Sequence, residues 1–193
     1  MKELIFATNN PHKIAEIQAA IGDSFRLVTL REAGIDIDIP EPHATLEENA
    51  QEKSRTIHRL TGKNCFSEDT GLEVTALNGE PGVNSARYAG DDRSDQRNIQ
   101  KLLQQLGDAS NRSARFRTVI SLILNNEEYL FEGVCPGAIG TAERGAGGFG
   151  YDPVFFPEGS SKTFGQMSME EKAFFSHRKK ATEKLVSFLQ KWR

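Results

Sequence analysis

Apolar residues open the chain as an unbroken run, Leu4-Ile5-Phe6-Ala7, the pattern of a strand buried on both faces. Thr8-Asn9-Asn10-Pro11-His12-Lys13 interrupts it. Asn10 suits an N-cap and Pro11 the first helical position, and Ile14, Ile17 and Ile21 then recur at helical spacing, so the opening predicts strand, polar turn and helix. Residues 25–30 read as the next strand. Pro40 and Pro42 exclude a helix from the loop that carries Glu41. Thr45 with Glu48 makes a capping box for a helix with Leu46, Ala50, Ile57 and Leu60 on its apolar face, ending near Gly62.

Further along, the apolar pairing of Cys65-Phe66 and Leu72-Glu73-Val74 reads as the end of one strand and the start of another. Residues 76–83, with Gly79, Pro81 and Gly82, read as turn or loop, and residues 84–90 show no clear period. Asp95–Leu106 is a predicted helix with Ile99, Leu102, Leu103 and Leu106 as its buried stripe. The strict alternation over residues 114–124, the Asn125-Asn126 turn and the stretch from Tyr129 to Cys135 predict a long antiparallel ribbon. Val154-Phe155-Phe156 is a last short strand. Ser168 with Glu171 forms another capping box, and Ala181, Leu185, Phe188, Leu189 and Trp192 give the final helix its packed face.

Composition narrows the class. A chain of 193 residues with 37% hydrophobic residues and a formal charge of -3 is long enough for one full domain, here expected as two lobes spanning residues 1–193. That charge supplies no basic field for a nucleic-acid backbone. Cys65 and Cys135 sit in apolar surroundings without metal-binding spacing, which suits reduced core thiols in a cytosolic protein. The start runs directly into a strand and no apolar 20-mer occurs, so a soluble cytoplasmic protein is expected, with no membrane partner.

Candidate chemistry concentrates in four places. Ser67-Glu68-Asp69-Thr70-Gly71 puts two carboxylates and a hydroxyl between the two apolar stretches, where an unpaired acid either raises its pKa or recruits a cation. Such a pair offers hard oxygen ligands for a magnesium-class ion, or a base beside one; a tight turn, with Asp69 accepting from the backbone near Gly71, accounts for the same residues without chemistry. Glu41, fixed between prolines, could face these acids. The helix start at Asn10 with Lys13 forms a phosphate cradle, although the Gly-Lys-Ser/Thr ending of a P-loop is missing. In the glycine-rich stretch around Phe149, Gly150 and Tyr151, the aromatic pair could stack on a base and Asp152 could read ring N–H or amino groups; a hairpin with Phe149 tucked into the core is the alternative. Lys172, His177 and Arg178 precede the last packed face. Exposure is the commoner fate of such cations, but Arg178 could fork onto a phosphate or base carbonyl and His177 could donate a specific hydrogen bond.

In order along the chain, Thr8-x-Asn10-x-x-Lys13, Glu68-Asp69-Thr70-Gly71-Leu72, Pro81-Gly82-x-x-Ser85-Ala86-Arg87-Tyr88, Gly147-Gly148-Phe149-Gly150-Tyr151-Asp152-Pro153 and Ser176-His177-Arg178 resemble the inosine triphosphate pyrophosphatase family. Many bacterial relatives carry Asp-Asp-Ser where this chain has Glu68-Asp69-Thr70. The resemblance implies an elongated α/β fold on a long central mixed sheet, with the nucleotide in a cleft between two lobes, a homodimer, and a requirement for Mg²⁺. It implies hydrolysis of deoxyinosine, inosine and xanthosine triphosphates to monophosphate and pyrophosphate. It also implies that the turn Thr8, Asn9, Asn10, Pro11, His12 and Lys13 holds the triphosphate, that Asp69 accepts the proton, and that Asp69, Glu68 and Glu41 surround the metal. Thr70 then contacts substrate, and Phe149, Gly150, Tyr151, Asp152, Lys172, His177 and Arg178 complete base and phosphate recognition. A subunit contact is expected near Tyr88. Two alternatives stay open: a Maf-like nucleotide pyrophosphatase with another base preference, and a non-catalytic nucleotide- or RNA-binding module.

Overall fold

Strand β1 (Lys2–Phe6) shows why the opening run is apolar throughout: Leu4 and Phe6 enter one buried cluster, and Ile5, with Ala7 just beyond the strand, enters another. The computed structural model describes residues 2–21 and 25–191. After β1 come α1 (Pro11–Ile21), β2 (Phe25–Thr29), α2 (Leu46–Thr61), β3 (Cys65–Val74), β4 (Pro81–Gly82), α3 (Asp95–Leu106), β5 (Ser113–Leu124), β6 (Glu127–Ile139), β7 (Phe155–Pro157), α4 (Met169–Phe175) and α5 (His177–Gln190). The strands form one mixed sheet in the order β2-β1-β3-β5-β6-β7, with β4 paired to β3. β1 runs parallel to β2 and β3, whereas β3 with β4 and β6 with β7 are antiparallel. The α/β fold with a mixed sheet is therefore as the sequence predicts.

Chain contacts define two compact units, one of Met1–Asp69, Thr118–Gly133 and Arg178–Arg193, the other of Thr70–Arg117 and Val134–His177. In the first unit, one face of the sheet packs Leu4, Phe6, Phe66 and Ile120 against Ile17 and Ile21 of α1 and Ala181, Leu185 and Leu189 of α5. The opposite face packs Ile5, Cys65 and Ile123 against Ile57 of α2. The second unit closes over Leu72, Val74, Phe116, Cys135, Val154, Phe155 and Phe164, with the α3 stripe Ile99, Leu102 and Leu106 among them. Leu103 is only half-buried against that cluster. Trp192, expected on the packed face of α5, lies outside the described residues.

Several local expectations change. Residues 65–74 are one continuous strand rather than two strands around a junction, because Glu68 and Asp69 each find a cation and a strand can then carry them. Within the predicted loop at residues 76–83, Pro81–Gly82 pairs with β3 through Gly82 opposite Leu72. Leu60 is 59% exposed: the buried face of α2 ends at Ile57, one turn before the left-handed cap Gly62. Tyr88 is a core residue of its own unit, with its hydroxyl donating to Glu80. The Asn125-Asn126 turn holds, both residues having the positive φ that the tight hairpin requires.

Candidate functional site

The polar turn after β1 is fixed locally. Asn10 Oδ1 accepts from the backbone N–H of His12 and Lys13 at 3.0 and 3.3 Å, capping α1, while Thr8 Oγ1 accepts from Asn10 N at 3.2 Å. Asn9 turns away, its Oδ1 accepting from Arg31 N, and Pro11 and His12 are exposed. Lys13 points back to β3: its Nζ lies 2.9 Å from Glu68 Oε1.

Side chains alternate along a strand, so the neighbours Glu68 and Asp69 leave β3 on opposite faces. Glu68 shares the parity of Phe66 and meets the α1 and α5 side, where Arg178 Nε donates to both its oxygens at 2.8 and 3.1 Å. Asp69 shares the parity of Cys65 and Ser67 and meets α2. Ser67 Oγ donates to Ala50 O there, and Lys53 Nζ donates to Asp69 Oδ1 at 2.9 Å and to Glu41 Oε1 at 2.6 Å. Glu41 reaches Lys53 because buried Asn49 pins the preceding loop, bonding both N and O of His43. The expected trio of metal acids is thus divided: Glu41 and Asp69 share one cation, and Glu68 has two of its own.

Electrostatics separate the acids further. Burial would raise the Glu68 carboxyl, but Arg178 and Lys13 more than offset it and hold it down at about 2. Asp69 goes the other way: burial raises it, Glu41 adds to that, and Lys53, divided between two carboxylates, does not reverse it. Burial lowers Lys53, yet Asp69 and Glu41 outweigh that and leave it raised. Among the described residues no group of three His, Cys, Asp or Glu side chains is placed to hold a metal ion. The Glu41 and Asp69 oxygens nevertheless converge on a single positive charge, which fits a hard cation that keeps water and phosphate oxygens in its shell.

In the second unit the glycine-rich stretch is held rather than loose. Asp152 Oδ2 accepts from Phe149 N at 3.0 Å and from Lys172 Nζ at 2.8 Å, both partners of a buried ion pair being over nine-tenths covered. Gly148 has φ +78°, and a Cβ there would stand 2.0 Å from Asp152 Oδ2. Phe149 is half-buried rather than part of the core, with Lys172 Nζ 4.9 Å from its ring centre. Gly150 N donates to Asp95 Oδ2, and the Tyr151 hydroxyl donates to Ser85 O at 2.8 Å, tying the stretch to a 3-10 turn at Ser85–Arg87. His177 stacks on Phe116 with ring centres 4.8 Å apart. Thr70 is half-buried on β3. Lys172, His177 and Arg178 are all buried, against the commoner fate of such residues.

Two participants escaped the sequence reading. Glu16 on α1 bonds Arg178 Nη1, and Lys53 carries Glu41 and Asp69. Lys53 left a signal: Leu46, Asn49, Ala50, Lys53, Ser54 and Ile57 make one helical face, and polar residues on an apolar stripe need partners. Glu16 left none beyond its position three residues after Lys13.

A model of the Ham1 family matches residues 4–188 of the chain. A dITP/XTP pyrophosphatase of Flavobacterium psychrophilum is 50% identical over 188 residues, covering 97% of this chain and 99% of that protein. One from Porphyromonas gingivalis is 48% identical over 190 residues, covering 98% of each. The solved structure of the Staphylococcus aureus Ham1 protein superposes with a TM-score of 0.92 at 41% identity, covering all of both chains.

Proposed function

Because the chain belongs to the Ham1 family, we propose that it hydrolyses deoxyinosine, inosine and xanthosine triphosphates to the monophosphate and pyrophosphate. The observation that carries the mechanism is Asp69: buried, raised in pKa, and set between Lys53 and the Glu41 carboxylate. Asp69 accepts the proton of the attacking water as the bond between the α and β phosphates breaks. Lys13, at the capped start of α1, places a positive charge against the triphosphate, with Thr8 and Asn10 lining the same turn.

Asp69 and Glu41 are the residues that would hold Mg²⁺, arriving with its phosphate and water ligands. When bound, the ion neutralises charge on the phosphate oxygens. Glu68 lines the same stretch of strand, and its oxygens serve Lys13 and Arg178.

Base reading belongs to the Phe149 stretch. The Phe149 ring offers a stacking face, and Asp152, Lys172 and the Tyr151 hydroxyl fix its backbone. Hypoxanthine and xanthine present O6 and N1–H, whereas adenine presents an amino group and a bare N1. A site that pairs the first set leaves buried groups unpaired with adenine, which is the source of selectivity. A homodimer in the cytoplasm completes the reading that the family resemblance implies; no described helix is long and apolar enough to cross a membrane.

A hydrolysis panel with pyrophosphate detection tests the function. Deoxyinosine and xanthosine triphosphates should turn over at least about a hundredfold faster than adenosine triphosphate, the range a hydrogen-bonding site can impose. Asp69→Asn should remove most turnover at saturating Mg²⁺. Orthophosphate as first product, or preference for deoxythymidine triphosphate, would reject the reading; the latter outcome would favour the Maf-like alternative.

A further inference from the structure

Glu16 lies three residues after Lys13 on α1 and so shares its side of the helix. Its side chain is 12% exposed, and its Oε2 accepts from Arg178 Nη1. Arg178 Nε in turn grips both oxygens of Glu68, and Glu68 Oε1 also accepts from Lys13 Nζ. Acids and cations therefore alternate in one chain of contacts: Glu16, Arg178, Glu68, Lys13.

We infer that Glu16 is a positioning residue for the triphosphate grip. By holding Nη1 of Arg178 it keeps the guanidinium turned so that Nε spans the two Glu68 oxygens, an arrangement in which Glu68 Oε1 also holds Lys13 in place. The inference rests on the reading that Lys13 contacts the triphosphate. Guanidinium and carboxylate prefer two parallel bonds, and a buried cation that loses one acid turns fully to the other. Without Glu16, Arg178 claims both Glu68 oxygens with its terminal nitrogens. Lys13 then loses its anchor, and the rotamer freedom it regains must be given up again on binding.

Simple charge counting predicts the reverse, because removing an acid beside an anion site should tighten anion binding. The sign of the effect is therefore diagnostic. Inorganic tripolyphosphate is the appropriate probe, since it has phosphates and no base, and calorimetric titration of the full chain with Mg²⁺ present reads its affinity.

Glu16→Gln should weaken tripolyphosphate binding about tenfold, the value of one charge-assisted hydrogen bond, and raise KM for deoxyinosine and xanthosine triphosphates alike. The base preference and kcat should stay within about twofold, as expected for a contact shared by ground and transition states. Glu16→Asp keeps the charge and should recover part of the affinity, which supplies a readout if the glutamine variant does not fold. Unchanged or tighter tripolyphosphate binding by a folded variant, with only a lower Tm, would overturn the inference. Lys13→Ala in the same titration separates the two levels: if it weakens binding and the Glu16 variants do not, the Glu16 role alone falls, and if it has no effect, the Lys13 reading and the inference fall together.

Discussion

Glu68 and Asp69 are adjacent acids with opposite electrostatic fates, and the difference comes from partners. Glu68 meets Arg178 and Lys13 and is held at about 2, whereas Asp69 shares Lys53 with Glu41 and is raised. The sign of the stability effect follows. A carboxyl lowered from 4.5 to about 2 on folding stabilises the native state above the unfolded value, and that contribution disappears as pH falls from 4.5 toward 2. Glu68→Gln should therefore be less stable than the parent at pH 7 by about 3 kcal/mol, the lower end for a broken buried pair, since Arg178 keeps Glu16. Denaturant melts of both proteins should converge between pH 4.5 and about 2. A gap that persists unchanged into strong acid would mean that Glu68 acts by packing and not by charge. Cys65 is buried and its thiol is pushed up to about 12, so it is a core residue and no nucleophile.

At the level of elements, the glycine-rich stretch before β7 is a scaffold whose shape depends on a missing side chain. Gly148→Ala would place a methyl on Asp152 Oδ2 at a φ of +78°, so Asp152 would have to leave either Phe149 N or Lys172. The expected result is a variant that binds tripolyphosphate as the parent does but loses about tenfold in preference for deoxyinosine over adenosine triphosphate, measured as a ratio of kcat/KM. An unchanged ratio would place base selection elsewhere. The sequence made many elements legible because their signals are local: α3 ends where its apolar stripe does, Ser168 and Glu171 cap α4, and Asn125-Asn126 turns β5 into β6. Ionic partners were not legible in the same way. Nothing near residue 68 announces Arg178, 110 positions away, and nothing near Glu41 announces Lys53, because such pairs exist only once strands and helices have been brought together. That is also why the acids of β3 read as a junction between strands: without their cations, a charged core strand looks forbidden.

For the molecule as a whole, the family places the fold and the reaction class, and association is the property with most left to measure. Light scattering across a wide dilution range should give about twice the 21.4 kDa chain mass, the factor being that of a two-fold pair. A monomer with full activity at micromolar concentration would remove the dimer. The opposed facing of Glu68 and Asp69 has a last consequence, for heredity. Because every residue of β3 lies on one side or the other by its count along the strand, the gene can change letters there far more safely than it can change length. Loss of a single codon between Cys65 and Glu68 would turn the acid meant for Arg178 toward Lys53 and the acid meant for Lys53 toward Arg178, so that one deletion would undo both ion-pair systems together.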